Sequence, residues 1–372
     1  MSIKTMMPPA PMGSYSQKDV VFLLKDISDA MPESSTQDRE EAVQSGTHYS
    51  EMLPIEYKPS EDYIKLFHVS LAQYKERLAI AAGVVAEQII KERGKGAVLV
   101  SLARAGTPIG ILIKRYILFK YGIDVPHYSV SIIRGRGIDE NAMKYIFENH
   151  PSEAIQFVDG WTGKGAIKKE LNEAVAHLNE VYGTNVSDSM AVLADPGYCV
   201  SIYGTRGDFL IPSACLNSTV SGLVSRTVLN REFISETDYH GAKYYRELEG
   251  EDLSGHYIET ITEQFPIVKD EVERHFKEMV ITEPTWSGLE DIKKIQRDYG
   301  IENINLVKPG VGETTRVLLR RVPWKILVKS FDNPDLGHIR LLAEERSVPI
   351  ELYPDMSYSC CGIIKPLKED SR

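Results

Sequence analysis

A chain of 372 residues with 43 basic and 53 acidic side chains, net charge −10, is long enough for about two domains and is no basic nucleic-acid coat. Its four cysteines, at 199, 215, 360 and 361, make no disulfide framework, which points to a reducing, cytoplasmic setting. The start, MSIKTMMPPAPMG, lacks a signal peptide's apolar core, and no stretch approaches ~18 continuous apolar residues, so no membrane partner is expected.

Residues 1–59 are polar and punctuated, with one apolar run from Val20 to Leu24 and the segment His48-Tyr49-Ser50-Glu51-Met52; they read as an N-terminal extension. Ser60 opens an amphipathic stretch to Arg93, where Glu61 and Asp62 suit a helix N-terminus and Gly94 its stop. Short β-rich runs follow at Ala97–Leu102, His127–Ile133, Ala154–Val158 and Met190–Ala194, alternating with helical patterns. That alternation predicts an α/β fold for residues 60–284, a parallel sheet with helices on both faces, whose ligands bind at the carboxyl ends of the strands.

Three glycine-bearing loops fall at that edge. The first is Ala103-Arg104-Ala105-Gly106, with Pro108 pre-set for the first turn of the next helix. The second, Arg134-Gly135-Arg136-Gly137, carries two guanidinium forks on glycine hinges and suits a lid over a polyanion. In the third, IQFVDGWTGKGAIKKEL from Ile155 to Leu171, a buried-strand pattern runs into Asp159 and then the turn Thr162-Gly163-Lys164-Gly165. Backbone amides at such a helix start cradle an anion, and Asp159 can hold a sugar hydroxyl. P-loop spacing is not met, because Lys164 is followed by Gly165 rather than by a hydroxyl residue. Any one loop reads equally as an ordinary turn; three at one edge indicate a phosphate site.

The segment Asp195–Asn230 is rich in Gly, Ser, Thr and Asn, and its Asp195, Arg206 and Asp208 are candidates for contacting an acceptor group. Cys215 and Cys199 offer a rival chemistry, a thiol nucleophile, which needs a lowered thiol pKa, a histidine base and an orienting Asn or Asp. Neither has a papain-like or caspase-like surround, so both also read as buried, inert thiols.

After a linker at Pro284-Thr285-Trp286-Ser287-Gly288, residues 285–372 form a second unit with 14 basic and 13 acidic side chains, the less acidic part of the chain. Strands are expected at Ile304–Val307, Lys325–Val328 and Ile350–Tyr353 and a helix at Leu336–Arg346, making a small α/β/α sandwich. Between them lies the loop Pro309 to Arg316. Its glycines allow close approach to a bent backbone, Glu313 can accept from a base edge, and Arg316, Arg320, Arg321 and Lys325 can contact phosphates.

The acid followed by Thr-Gly-Lys resembles the phosphoribosyl pyrophosphate loop of type I phosphoribosyltransferases, and the Arg104 turn resembles their diphosphate loop. The loop at Gly310, Gly312, Glu313, Thr314 and Arg316 resembles the RNA-binding loop of the Pelota and kink-turn-binding superfamily, with Gly312 where asparagine is usual. GSYSQKDVVFLLKDIS at 13–28, HYSEM at 48–52 and VDGWTGKGAI at 158–167 resemble a bacterial family joining the two domains, found near tellurite-resistance and stress genes, whose members also carry a cysteine-protease label. The resemblance implies transfer of a phosphoribosyl group to a base or nucleotide-like acceptor, with Mg2+ bound alongside the substrate. Asp159, Arg104, Arg134 and Arg136 would be catalytic; Thr162, Gly163, Lys164, Gly165, Ala105 and Gly106 would bind phosphate; and Asp195, Arg206 and Asp208 would face the acceptor. Three classes stay open: that transferase, a cysteine protease, and a non-catalytic RNA-binding protein, with a homo-oligomer compatible with each.

Overall fold

The computed structural model of the protein describes residues 7–35, 42 and 46–365, so the first six residues of the Met/Pro-rich start lie outside it. The polar N-terminal stretch supplies four short strands, β1 (Val21–Phe22), β2 (Lys25–Asp26), β3 (Glu33–Ser34) and β4 (Leu53–Pro54). β1 takes the edge of the main sheet beside a later strand, with Val21 opposite Tyr128, so the apolar run Val20–Leu24 is structural core rather than an appendage.

Helix α1 (Glu61–Arg93) matches the expected stretch within one residue at its start. Acidic residues sit in its first turn and Lys91 and Arg93 in its last, each favourable for the helix dipole, and Gly94 ends it at φ 69°, a positive φ that glycine adopts without a side-chain clash. The second half is buried nearly all round, from Leu78 to Ile89, because it lies under two other helices and against the sheet.

Alternating elements follow: β5 (Val98–Ala103), α2 (Gly106–Tyr121), β6 (His127–Ile133), β7 (Gly137–Ile138), α3 (Glu140–Asn149), β8 (Ile155–Trp161), α4 (Ala166–Tyr182), β9 (Met190–Ala194) and β10 (Ile202–Thr205). The sheet order is β1-β6-β5-β8-β9-β10, with every pair parallel and β7 folded back antiparallel on β6. The expected parallel sheet between helices is therefore present. Strand β10 is an edge strand that the polar composition of its segment conceals. β11 (Gly241–Ala242) pairs with β2, and α5 (Ser254–Thr262) and α6 (Phe265–Glu278) close the helical face over α1 and α2.

The tail contains α7 (Ser287–Asp298), β12 (Val307–Pro309), α8 (Val311–Arg320), β13 (Pro323–Val328), α9 (Gly337–Glu345), β14 (Ile350–Leu352) and β15 (Cys360–Ile364). Its sheet runs β12-β15-β13-β14. Two expectations change here. Ile304–Leu306 is a 3-10 turn and the strand starts at Val307, while most of the supposed loop 309–316 is the opening of α8. Val311, Thr314, Thr315 and Leu318 recur at helical spacing and are buried, so burial converts the segment to helix.

Candidate functional site

The carboxyl edge of the main sheet faces the tail, and the two enclose a cleft of about 200 Å³. Arg134, Asp159, the turn Thr162–Gly165 and Lys168 line it from the first domain; Asn305, Lys308 and Glu313 line it from the tail. Asp159 is 9% exposed at the end of β8, and burial pushes its carboxyl up to about 7, opposed only by the Gly160 amide that donates to it over 2.7 Å. Lys164 is drawn down to about 8 by burial, and by the like charges of Lys308 and Arg134; its Nζ donates to the Ile304 carbonyl at 3.0 Å.

Asp159 yields a testable pH dependence. An aspartate in the unfolded chain titrates near ~3.9, so between that value and about 7 the folded state holds the extra proton and stability falls as pH rises. Asp159→Asn removes this titration yet keeps an acceptor for Gly160. Its melting temperature should exceed the parent's above pH 7 and match it near pH 4, as read by calorimetry; an equal shift at both would place the cause elsewhere.

The three loops do not converge as expected. Arg104 turns away from the cleft and donates to the Val224 carbonyl at 3.2 Å, and burial depresses its pKa. Ala105 is exposed beside it, and Gly106 starts α2, where an added Cβ would lie 2.4 Å from the Val158 carbonyl oxygen; that glycine serves helix-to-strand packing. The Arg134–Gly137 loop is fastened. Gly135 and Gly137 amides donate to the two oxygens of Glu170 at 2.8 and 2.9 Å, the Arg134 amide donates to the Tyr49 hydroxyl, and Arg136 pairs with Glu51 at 2.6 Å. HYSEM is thus a strap across this loop.

The Thr162 turn is committed as well. Its amide donates to the Ala194 carbonyl and its hydroxyl to Asp195. The Gly163 carbonyl accepts from Tyr358, and Gly165, at φ 78°, is wedged between the Trp286 ring and Cys199. Asp195 is wholly buried and accepts from the Cys199 and Val200 amides and from Arg206, whose guanidinium lies 3.7 Å over the Tyr203 ring. Asp208 accepts from the Val311 amide at 2.9 Å and the Ser359 amide at 2.7 Å, joining the tail. All three proposed acceptor residues are therefore turn-holding or domain-joining groups.

The tail's expected RNA residues also face inward. Gly310 borders Asp208, Gly312 borders Ala214, and Thr314 is buried. Glu313 pairs with Arg316 at 2.9 Å, while Arg316 donates to the Ala214 carbonyl at 3.0 Å and lies 5.5 Å from the Trp161 ring.

Both candidate nucleophiles are buried. Desolvation raises Cys199 to about 11 and Cys215 to about 12, the reverse of an activated thiol. They differ in place. Cys215 sits in the core under α1, whereas Cys199 lies one layer behind the cleft wall, its Sγ 3.8 Å from the Gly163 carbonyl, with Lys168 in electrostatic reach. No histidine among the described residues hydrogen-bonds a cysteine: His127 bonds Ser101, His240 bonds Ser131, His338 bonds Thr315 and His48 bonds Ser50. Among the described residues no group of three or more His, Cys, Asp or Glu is placed to hold a metal ion.

The architecture is that of an α/β protein with a shielded thiol behind the edge of its large parallel sheet and a small α/β tail with a sheet of its own. A family model described as "Tellurite-like stress resistance cysteine protease StiP" matches residues 13–262, and one described as "PELOTA RNA binding domain" matches residues 286–366. The chain is 34% identical over 352 residues, 92% of its own length and 91% of the relative's, to a protein of Acinetobacter baylyi named "Cysteine protease StiP". The chain belongs to the StiP family. A solved structure of LysN, α-aminoadipate aminotransferase from Thermus thermophilus, aligns at 11% identity over 79% of this chain and 74% of that one with a TM-score of 0.19, too low to bear on the fold.

These matches overturn the phosphoribosyltransferase reading. The family and the relative carry a cysteine-protease name, and phosphoribosyl pyrophosphate and its magnesium go no further. The geometry agrees in part, since Arg104 and Thr162 have other partners. Sequence reasoning does not reach Tyr358, Trp286 and Glu170, whose roles rest on contacts between distant segments; only the HYSEM stretch signals the strap.

Proposed function

We propose that the protein is a thiol-dependent protease of the StiP family, acting in tellurite-type stress, with Cys199 as nucleophile and with RNA contact through its C-terminal domain. The observation that carries the choice of thiol is position. Cys199 has its sulfur against the cleft-lining turn, 3.8 Å from the Gly163 carbonyl, beside Gly165 and near Lys168; Cys361 is in electrostatic reach of Lys164 but lies in the tail sheet, and Cys215 and Cys360 pack in the main hydrophobic core. The family name supports the chemistry, and the Pelota match supports the RNA contact.

In the closed arrangement burial holds the Cys199 thiol protonated, so attack on a peptide carbonyl requires the wall to move and a base to take the proton. Lys168 is the cation placed to steady the thiolate once formed. Its Nζ already donates to Asn172 and to the Asp188 carbonyl, so it acts as a fixed charge.

Labelling of the folded chain by a small thiol reagent tests the assignment. The thiolate is the reacting form, so the rate at Cys199 should rise about tenfold per pH unit from 7 toward about 11, with no plateau before that, as read by peptide-resolved mass spectrometry. Cys199→Ala should abolish both the labelling and the protease activity. Equal labelling of Cys215, or proteolysis that survives Cys199→Ala, removes the assignment.

A further inference from the structure

The residues by which a Pelota-type tail would grip RNA and the thiol behind the cleft are covered by one and the same seam. On the tail side, Gly312 packs so closely that an added Cβ would lie 3.2 Å from the Ala214 Cβ, and Arg316 reaches the Ala214 carbonyl. Arg320 donates to the Cys215 carbonyl at 2.8 Å and to the Asn217 side chain at 2.9 Å. Two of the tail's four candidate RNA cations, Arg316 and Arg320, are thus tied to carbonyls of the first domain, while Arg321 is exposed and Lys325 pairs with Glu351 within the tail.

The opposite end of the seam covers Cys199. The Trp286 amide donates to the Tyr198 carbonyl at 3.0 Å and the Gly288 amide to the Gly197 carbonyl at 3.2 Å, the two backbone groups just before the cysteine. The Tyr358 hydroxyl holds the Gly163 carbonyl at 3.0 Å, and the Trp286 ring closes over Gly165. Asp208 stands between the two ends and clasps both β15's approach and the start of α8.

We propose that this seam is an autoinhibitory latch: closed, it masks the RNA-facing end of the tail and buries Cys199 together, and a structured RNA that takes the tail's cations opens it and uncovers the thiol. The masking of the RNA face stands on the contacts alone; the release of a working nucleophile rests on the reading of Cys199 given above. Because one equilibrium serves both sites, a ligand that binds only the open form must raise thiol exposure, and locking the seam must weaken that ligand.

The full chain carrying Asp208→Ala, or separately Tyr358→Phe, tests this, since each removes a clasp of the seam and leaves the tail's RNA loop unaltered. The probe is a hairpin RNA with an internal bulge. Both variants should bind it at least ~tenfold more tightly than the parent. Parent-like affinity in both variants, or no binding in any form, overturns the latch. In the parent chain the RNA should speed labelling of Cys199 at least tenfold; clasp-dependent RNA binding with unchanged labelling overturns the thiol half alone. Labelling and proteolysis measured without RNA test the nucleophile separately, so failure of the latch and failure of the Cys199 assignment are distinguishable.

Discussion

Alanine at Asp195 should lower the free energy of unfolding by about 3–5 kcal/mol, the loss typical when one partner of a buried ion pair is removed. Asp195 has no solvent exposure, and its two oxygens accept from the Thr162 hydroxyl, the Cys199 and Val200 amides and the Arg206 guanidinium. Without it, Arg206 is left against Tyr198 and Tyr203 with no carboxylate to offset its burial. Two amides and a hydroxyl lose their acceptor at the same time. Urea unfolding measures the loss, and Asp195→Asn should give a smaller one because an acceptor oxygen remains. A loss below about 1 kcal/mol for alanine would mean that the turn relaxes or admits water.

The second large effect is steric. Gly106→Ala places a Cβ 2.4 Å from the Val158 carbonyl oxygen and 3.1 Å from the Asp159 Cα, both backbone atoms of a central strand. Neither atom belongs to a flexible side chain, so α2 must lift from β8, at a cost of about 3 kcal/mol. Gly96→Ala is the matched control, since an added Cβ there meets nothing within 4 Å. A urea midpoint lowered by the first and unmoved by the second is the expected pattern. Equal midpoints would show that the helix shifts without penalty.

The repeating part of the fold is legible because it is local. The acidic start and glycine stop of α1 are written in adjacent residues, β5 and β9 carry nearly continuous apolar runs, and β6 and β8 mix apolar residues with a few polar ones between turn signals. β15 is less legible: Cys360-Cys361-Gly362-Ile363-Ile364 follows a Ser-rich turn and becomes the second strand of the tail sheet through pairing with β12 and β13. The site shows the same division. The position of the loops at the sheet edge follows from strand order, but their use does not. Thr162 and Arg104 have the side chains of phosphate ligands, and only the fold reveals that Asp195 and Val224 already occupy their donors. The family assignment, by contrast, is readable in long matched segments that include HYSEM and VDGWTGKGAI.

The burial of all four cysteines has a bearing on survival under oxidants. Peroxide-class oxidants react with thiolate far faster than with thiol, and burial raises the pKa of Cys199, Cys215, Cys360 and Cys361 alike. Under the proposed latch, opening the seam would hand an oxidant Cys199 alone and leave the other three thiols shielded, so the interval of use would also be that residue's interval of damage.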